Sequence, residues 1–272
     1  MSLGCQAWLV SRSAMIGCLV FLLAWPCSAT EFADLHTDRD AFTPSTFCIA
    51  PGSVLTEGST VYIENREGLP TNSYPEFLYR IGTTERFELR VGVNYAVGSQ
   101  GSVVTSVEVG EGREEGTATY ESSILYGFKA SVTKQSGWLP ESCFIMEAST
   151  PTYGDVFGTV PVGTYAMGWE LPGQFRLDTS LRYAYVEGET TWFHRWGPSV
   201  VLRMPVTPRC EVHAEYFGTF TQGLTDETNR PFLSPGMHYM ITSRLEIGLR
   251  VGWGLTRDAA NFFSDAGFGC RF

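Results

Sequence analysis

The chain has 272 residues, of which 43% are hydrophobic, 14% aromatic and only 18% charged, with 29 Gly. That is too apolar and aromatic for a disordered chain, and 19 Lys+Arg against 29 Asp+Glu give a net charge of −10, the wrong sign for a broad phosphate-binding surface; no nucleic-acid partner is expected. Beyond the opening residues no run approaches the ~18–20 continuous apolar residues of a membrane helix, which excludes a helical bundle.

Residues 1–29 read as a secretory signal peptide. They hold one charge, Arg12, then the apolar run Ile16-Gly17-Cys18-Leu19-Val20-Phe21-Leu22-Leu23-Ala24-Trp25 and a small-residue end, Ser28-Ala29. The run is too short to span hydrocarbon, so cleavage after Ala29 is expected rather than anchoring. Cys5, Cys18 and Cys27 leave with the signal; Cys48, Cys143, Cys210 and Cys270 remain, without zinc-type spacing. Residues 30–53 are expected to form a periplasmic segment or plug, and 54–272 a barrel.

The remainder alternates with a period of two, the mark of strands. In residues 86–97 Phe87, Leu89, Val91, Val93, Tyr95 and Val97 share one face, and Arg86, Glu88, Arg90, Gly92, Asn94 and Ala96 the other. Residues 174–185 and 244–255 repeat the pattern. About twelve strands follow: 54–65, 76–82, 86–97, 120–132, 141–150, 165–171, 174–186, 191–204, 209–220, 232–242, 244–256 and 261–272. The clearest are near twice the usual ~5–6 residues and suit the ~9–11 of a tilted membrane-crossing strand. Short turns alternate with longer connections at 66–75, 98–119, 151–164, 187–190, 221–231 and 257–260. These features predict an all-β, closed, antiparallel up-and-down transmembrane barrel in a Gram-negative outer membrane, with both termini periplasmic. A soluble sandwich also alternates, but its solvated faces carry Lys, Thr and Ser; here the polar faces are arginine and glutamate rows, and Lys129 and Lys134 are the only lysines after the signal. The last strand places Phe262, Phe268 and the terminal Phe272 on one face. This resembles outer-membrane barrels, whose terminal aromatic is read by the barrel assembly machinery, and marks Phe272 as the assembly signal.

Several landmarks, in order, resemble the outer-membrane transporters grouped as the MetA-pathway of phenol degradation family. They are Asp38-Arg39-Asp40 with Thr43-Pro44-Ser45; Pro51-Gly52 before a strand holding Glu64; Phe77-Leu78-Tyr79-Arg80-Ile81-Gly82 with Glu85-Arg86-Phe87-Glu88-Leu89-Arg90; and Gly127-Phe128-Lys129. Further along come Trp138-Leu139-Pro140-Glu141, Ala214-Glu215-Tyr216-Phe217-Gly218, Asn261-Phe262-Phe263 and Gly267-Phe268-Gly269-Cys270-Arg271-Phe272. Pro151-Thr152-Tyr153-Gly154 departs from the family's usual Pro-Thr-Gly. The resemblance implies an outer-membrane barrel passing small hydrophobic or aromatic compounds.

If the registers hold, Glu64, Arg80, Glu88, Arg90, Lys129, Glu147, Arg176, Asp178, Arg182, Arg195, Arg203, Glu211, Glu215, Glu246, Arg250 and Arg271 form a charge ladder inside the barrel. Opposite charges in a confined lumen are expected to pair, since a lone buried charge costs several kcal/mol. No catalytic residue, cofactor or metal site is expected. His213 with Glu215, and His194 with Ser199, are the nearest approaches to a catalytic pair; Gly110-Glu111-Gly112-Arg113-Glu114-Glu115-Gly116 reads as a solvated loop rather than a cation site. Cys48 and Cys270 both fall near the periplasmic end and are the expected disulfide pair. The function expected is passive uptake of small hydrophobic or aromatic solutes, with outer-membrane lipid, the assembly machinery and those solutes as partners. The alternative is a non-transporting structural or adhesive barrel acting through its outer loops.

Overall fold

A computed structural model describes residues 35–39, 41–99, 103–105, 118–153, 158–187 and 192–272. The expected signal peptide and the run from Gly110 to Gly116 lie outside the described residues. Twelve strands form one closed sheet: β1 (Val54–Glu64), β2 (Thr71–Thr84), β3 (Phe87–Ser99), β4 (Ala118–Thr133), β5 (Glu141–Tyr153), β6 (Val160–Glu170), β7 (Arg176–Glu187), β8 (Trp192–Thr207), β9 (Cys210–Gln222), β10 (Asn229–Thr242), β11 (Leu245–Gly254) and β12 (Phe262–Arg271). Each strand pairs antiparallel with its chain neighbours, and β1 closes on β12 from Leu55↔Arg271 to Glu64↔Phe262 without a break in register. Closure leaves no sheet edge with unpaired backbone groups, the condition for a sheet to stand in hydrocarbon.

Alternation sorts the side chains. Leu89, Val91 and Val93 of β3, Ile247 and Leu249 of β11, and Phe268 of β12 are exposed on the outer face. Between them, Glu88, Arg90, Glu246, Arg250 and Asp265 are buried inside. Rings gather toward the strand ends: Tyr185 stacks on Trp192 at 5.0 Å, and Trp253 meets Phe262 at 5.9 Å. No described helix is long and apolar enough to cross a membrane, so any crossing is made by strands.

Four strands begin earlier than the sequence suggests: β2 at Thr71, β4 at Ala118, β6 at Val160 and β10 at Asn229, with Pro75, Pro161 and Pro231 in the added residues of three of them. Pro75 falls where the β2–β3 register shifts between Ser73 and Phe77, a bulge that has no use for its missing N–H. Pro161 and Pro231 sit in the ladder opposite Ala148 and Gly218.

Two non-strand pieces occupy the interior. Residues 35–39 and 41–49 run across it, with Leu35, Asp38, Arg39, Phe42 and Thr43 buried. Val103, Val104 and Thr105, from the β3–β4 connection expected to be an outer loop, are buried too. The largest apolar cluster is therefore inside the barrel, where Phe42, Val103 and Val104 meet Val61, Ile63, Phe217, Phe232 and Phe263.

Candidate functional site: the filled lumen

The inner segment enters over Gly82. Its backbone pairs with residues 52 and 53 (Gly52 N to Gly82 O 2.9 Å, Gly82 N to Ser53 O 3.0 Å), and a Cβ there would collide with the carbonyls of Ile49 and Ala50. Glycine is thus required by the close approach of the entering chain.

Past this point the segment meets three groups of wall charges. The first centres on Asp38. Its carboxylate accepts from Arg90 Nη1 at 2.5 Å, Lys129 Nζ at 2.6 Å and the Ser45 amide at 2.9 Å, and lies 3.4 Å from Arg80 Nη1. The wall carboxylates Glu57, Glu88 and Glu147 complete the network: Arg80 donates to Glu88 at 2.7 Å and to Glu57 at 3.2 Å, and Arg90 to Glu147 at 2.6 Å. The segment's backbone joins in. The Asp38 and Arg39 amides donate to Glu57 at 2.7 and 2.9 Å, the Ile49 amide to Glu88 at 2.8 Å, and Arg80 donates to the carbonyls of His36 and Phe47. Arg39 pairs with Glu76. Burial alone would raise the Asp38 carboxyl, but Arg80, Lys129 and Arg90 together hold it well below the usual carboxylate range.

The second group is a cradle on β9, β11 and β12. Glu215 accepts from the Phe42 amide at 3.0 Å and from both the Thr43 amide and hydroxyl at 2.7 Å, while Arg250 donates to it at 3.1 Å. Arg250 also donates to Asp265 at 3.1 Å and to the Val104 carbonyl at 2.7 Å, so one guanidinium holds wall and loop together. Phe42 stacks on Phe217 at 4.8 Å, and Phe217 on Phe232 at 5.2 Å. The third group flanks these. Arg176 donates to Asp178 at 3.0 Å, Thr46 at 2.7 Å and Glu141 at 3.2 Å, with its guanidinium 4.3 Å over the Phe47 ring; Thr37 donates to Glu246 at 2.6 Å.

Of the expected ladder, Arg80, Glu88, Arg90, Lys129, Glu147, Asp178, Arg182, Arg195, Arg203, Glu215, Glu246 and Arg250 lie buried on the inner face, and Arg176, Glu211 and Arg271 are half-buried. Arg182 donates to the Thr105 carbonyl at 3.4 Å, and Arg271 reaches the Ser243 carbonyl in the β10–β11 turn at 3.1 Å. Glu64 requires correction. It is exposed at the end of β1, because the inward residues there are Leu55, Glu57, Val61 and Ile63. Charge does not mark the inner face at that end, since Val61 and Ile63 pack on Val103 and Val104. The inward residues Glu57, Glu76, Asp265 and Phe217 were not singled out; their signal was the same two-residue spacing, on strands whose inner face mixes glycine, serine and apolar side chains.

The expected Cys48–Cys270 pairing also fails. All four described cysteines are free thiols; Cys48 points at the Lys129 carbonyl on β4, whereas Cys270 lies on β12 opposite Thr56 and Leu245. His213 lies 3.1 Å from His238 rather than on Glu215. His194 bonds Tyr183 at 2.8 Å, while Ser199 is buried against Ser180 at 2.7 Å, so these two do not meet. Among the described residues no cluster of metal-ligating side chains forms.

A family model described as "Putative MetA-pathway of phenol degradation" matches residues 37–272. Among solved structures, an outer membrane channel from Pseudomonas putida F1 is 10% identical, with a TM-score of 0.59, over 84% of this chain and 98% of that one. The NanC porin is 7% identical with a TM-score of 0.50, over 80% and 98%. The translocator domain of the autotransporter NalP from Neisseria meningitidis is 12% identical with a TM-score of 0.48, over 96% of each chain. No curated protein matches in sequence.

Proposed function

The chain belongs to the family described as "Putative MetA-pathway of phenol degradation", and from that premise we propose that it is an outer-membrane channel for passive entry of small aromatic solutes. The observation that carries this is the inside of the barrel. It holds a buried ring cluster of Phe217, Phe232 and Phe263 beside Arg250, which is 5.0 Å over the Phe263 ring, and the cluster is occupied by Phe42 of the inner segment. A site that stacks a tethered phenyl ring has the shape and chemistry to stack a free one. The apolar outer face, closed wall and paired inner charges support an outer-membrane location, and the likeness to a protein described as an outer membrane channel is in keeping with it.

In this reading residues 35–49 are a plug. Passage needs no bond chemistry: the plug leaves the Glu215 cradle, Phe42 vacates the rings, and the wall charges keep partners among themselves, as Arg80 with Glu88, Arg90 with Glu147 and Arg250 with Asp265. Residues 103–105 narrow the same space through the Val104 and Thr105 carbonyls. Phe272, exposed at the end of β12, is assigned as the mark read by the assembly machinery during insertion. The test is uptake of a radiolabelled monoaromatic, phenol, by cells with a lipopolysaccharide outer leaflet, with and without the protein. Faster uptake with the protein, competed by other monoaromatics and not by sugars, supports the proposal; equal uptake in folded, surface-exposed protein refutes it.

A further inference from the structure

Two cysteines that the channel reading does not use lie at the same plug–wall contact, one on each side of it. Cys48, on the plug, has its Sγ 3.8 Å from the carbonyl of Lys129 on β4. Two residues along β4, Ser131 is the cross-strand partner of Cys143 on β5. Cys143 in turn has its Sγ 3.7 Å from the carbonyl of Ser45, three positions before Cys48 on the plug. Each thiol therefore touches the element, or the strand beside the element, that carries the other. Cys210 and Cys270 have no such relation; their strand partners are Thr207 and Tyr239, and Thr56 and Leu245.

We propose that Cys48 and Cys143 are a redox pair whose disulfide fastens the plug to β5 and holds the lumen shut. The proposal rests on the plug reading above. The oxidant is the disulfide of an oxidised dithiol carrier protein, which fits the expected export to an oxidising compartment. The Cys48 thiolate attacks one carrier sulfur, forming a mixed disulfide and freeing one carrier thiolate. The Cys143 thiolate then attacks the Cys48 sulfur and expels the second carrier thiolate. The two protons lost by Cys48 and Cys143 end on the carrier, which leaves as a dithiol with the two electrons. Burial, and then the neighbouring Glu88 carboxylate, push the Cys48 thiol up in the docked plug, and Cys143 is fully buried. Thiolate attack is slow under those conditions, so the bond forms as the plug docks during assembly, before both thiols are covered.

The experiment has two readouts on the full-length protein. Cells are quenched into acid and N-ethylmaleimide, and the purified barrel is peptide-mapped without reductant. The expected result is a Cys48 peptide joined to a Cys143 peptide, with Cys210 and Cys270 alkylated. Cys48→Ser and Cys143→Ser each abolish the link, and heat-modifiability gels check that both still fold. In planar bilayers, reductant raises the open fraction of the natural protein several-fold; both serine variants start at the raised level and ignore reductant. Full alkylation of Cys48 and Cys143, persisting after the folded barrel is treated with copper-phenanthroline, overturns the pairing. A link whose reduction leaves a measurable current unchanged overturns its role in closure. A link with no current in any form counts against the channel reading and leaves the redox pair standing.

Discussion

Glu215→Ala tests whether the wall holds the plug by the bonds described. In the structure Glu215 accepts three hydrogen bonds from the plug, two from Phe42 and Thr43 amides and one from the Thr43 hydroxyl, all within 3.0 Å. Each bond to a charged group is worth about 1.5–3 kcal/mol. They form one unit, so their loss is better set at the roughly 3–5 kcal/mol of a broken buried ionic contact. At 1.4 kcal/mol per factor of ten, that lowers the docked-to-undocked ratio by roughly a hundredfold to a few thousandfold. The barrel itself loses little. Arg250 keeps Asp265, and the β9 ladder is made of backbone bonds on both sides. The assay is open fraction in planar bilayers under reductant, so that no Cys48–Cys143 link holds the plug, paired with a heat-modifiability gel to show that the barrel is folded. A folded Glu215→Ala barrel with the open fraction of the natural protein would refute the reasoning, because the cradle would then contribute nothing to closure.

Other consequences are equally concrete. Gly82→Val places a side chain where the Ile49 and Ala50 carbonyls enter; residues 35–49 should become sensitive to added protease in a barrel that still shifts on heating. Because Asp38 is held below the ordinary carboxylate range, its contribution is complete above the unfolded value of about 3.9 and is lost only as pH falls through the lower folded value. Asp38→Asn should therefore lower the protection of residues 38–45 against amide exchange at pH 7, measured by hydrogen–deuterium exchange corrected for intrinsic rate. Deleting Phe272 should lower the amount of heat-modifiable protein in the outer membrane several-fold at equal synthesis, measured by fractionation.

How much of this was legible in the chain depended on whether a residue's neighbours lay on its own strand. The long alternation of residues 86–97 and 244–255 carries its own evidence, since each strand buries one face whatever stands beside it, and β3 and β11 lie where that pattern puts them. The early starts of β2, β6 and β10 were not legible, because a proline by itself signals a turn, whereas a barrel wall absorbs Pro75 at a bulge and Pro161 and Pro231 within the ladder. Glu64 was misassigned for a different reason. The rule that charges point inward fails where an inner loop brings its own apolar residues, and Val103 and Val104 lie some forty positions from β1 with no periodicity to announce them. The pairing of charges was beyond reach for the same cause. Asp38 joins Arg80, Arg90 and Lys129 only because three neighbouring strands curve around one irregular segment.

The most direct test is the single-channel current of the barrel with residues 35–49 deleted, beside that of the full-length protein under the same voltage and salt. The account predicts a deletion barrel that is open nearly all the time and a full-length barrel that is mostly closed. Equal open fractions from two folded barrels would mean that the segment lying across the lumen does not control passage.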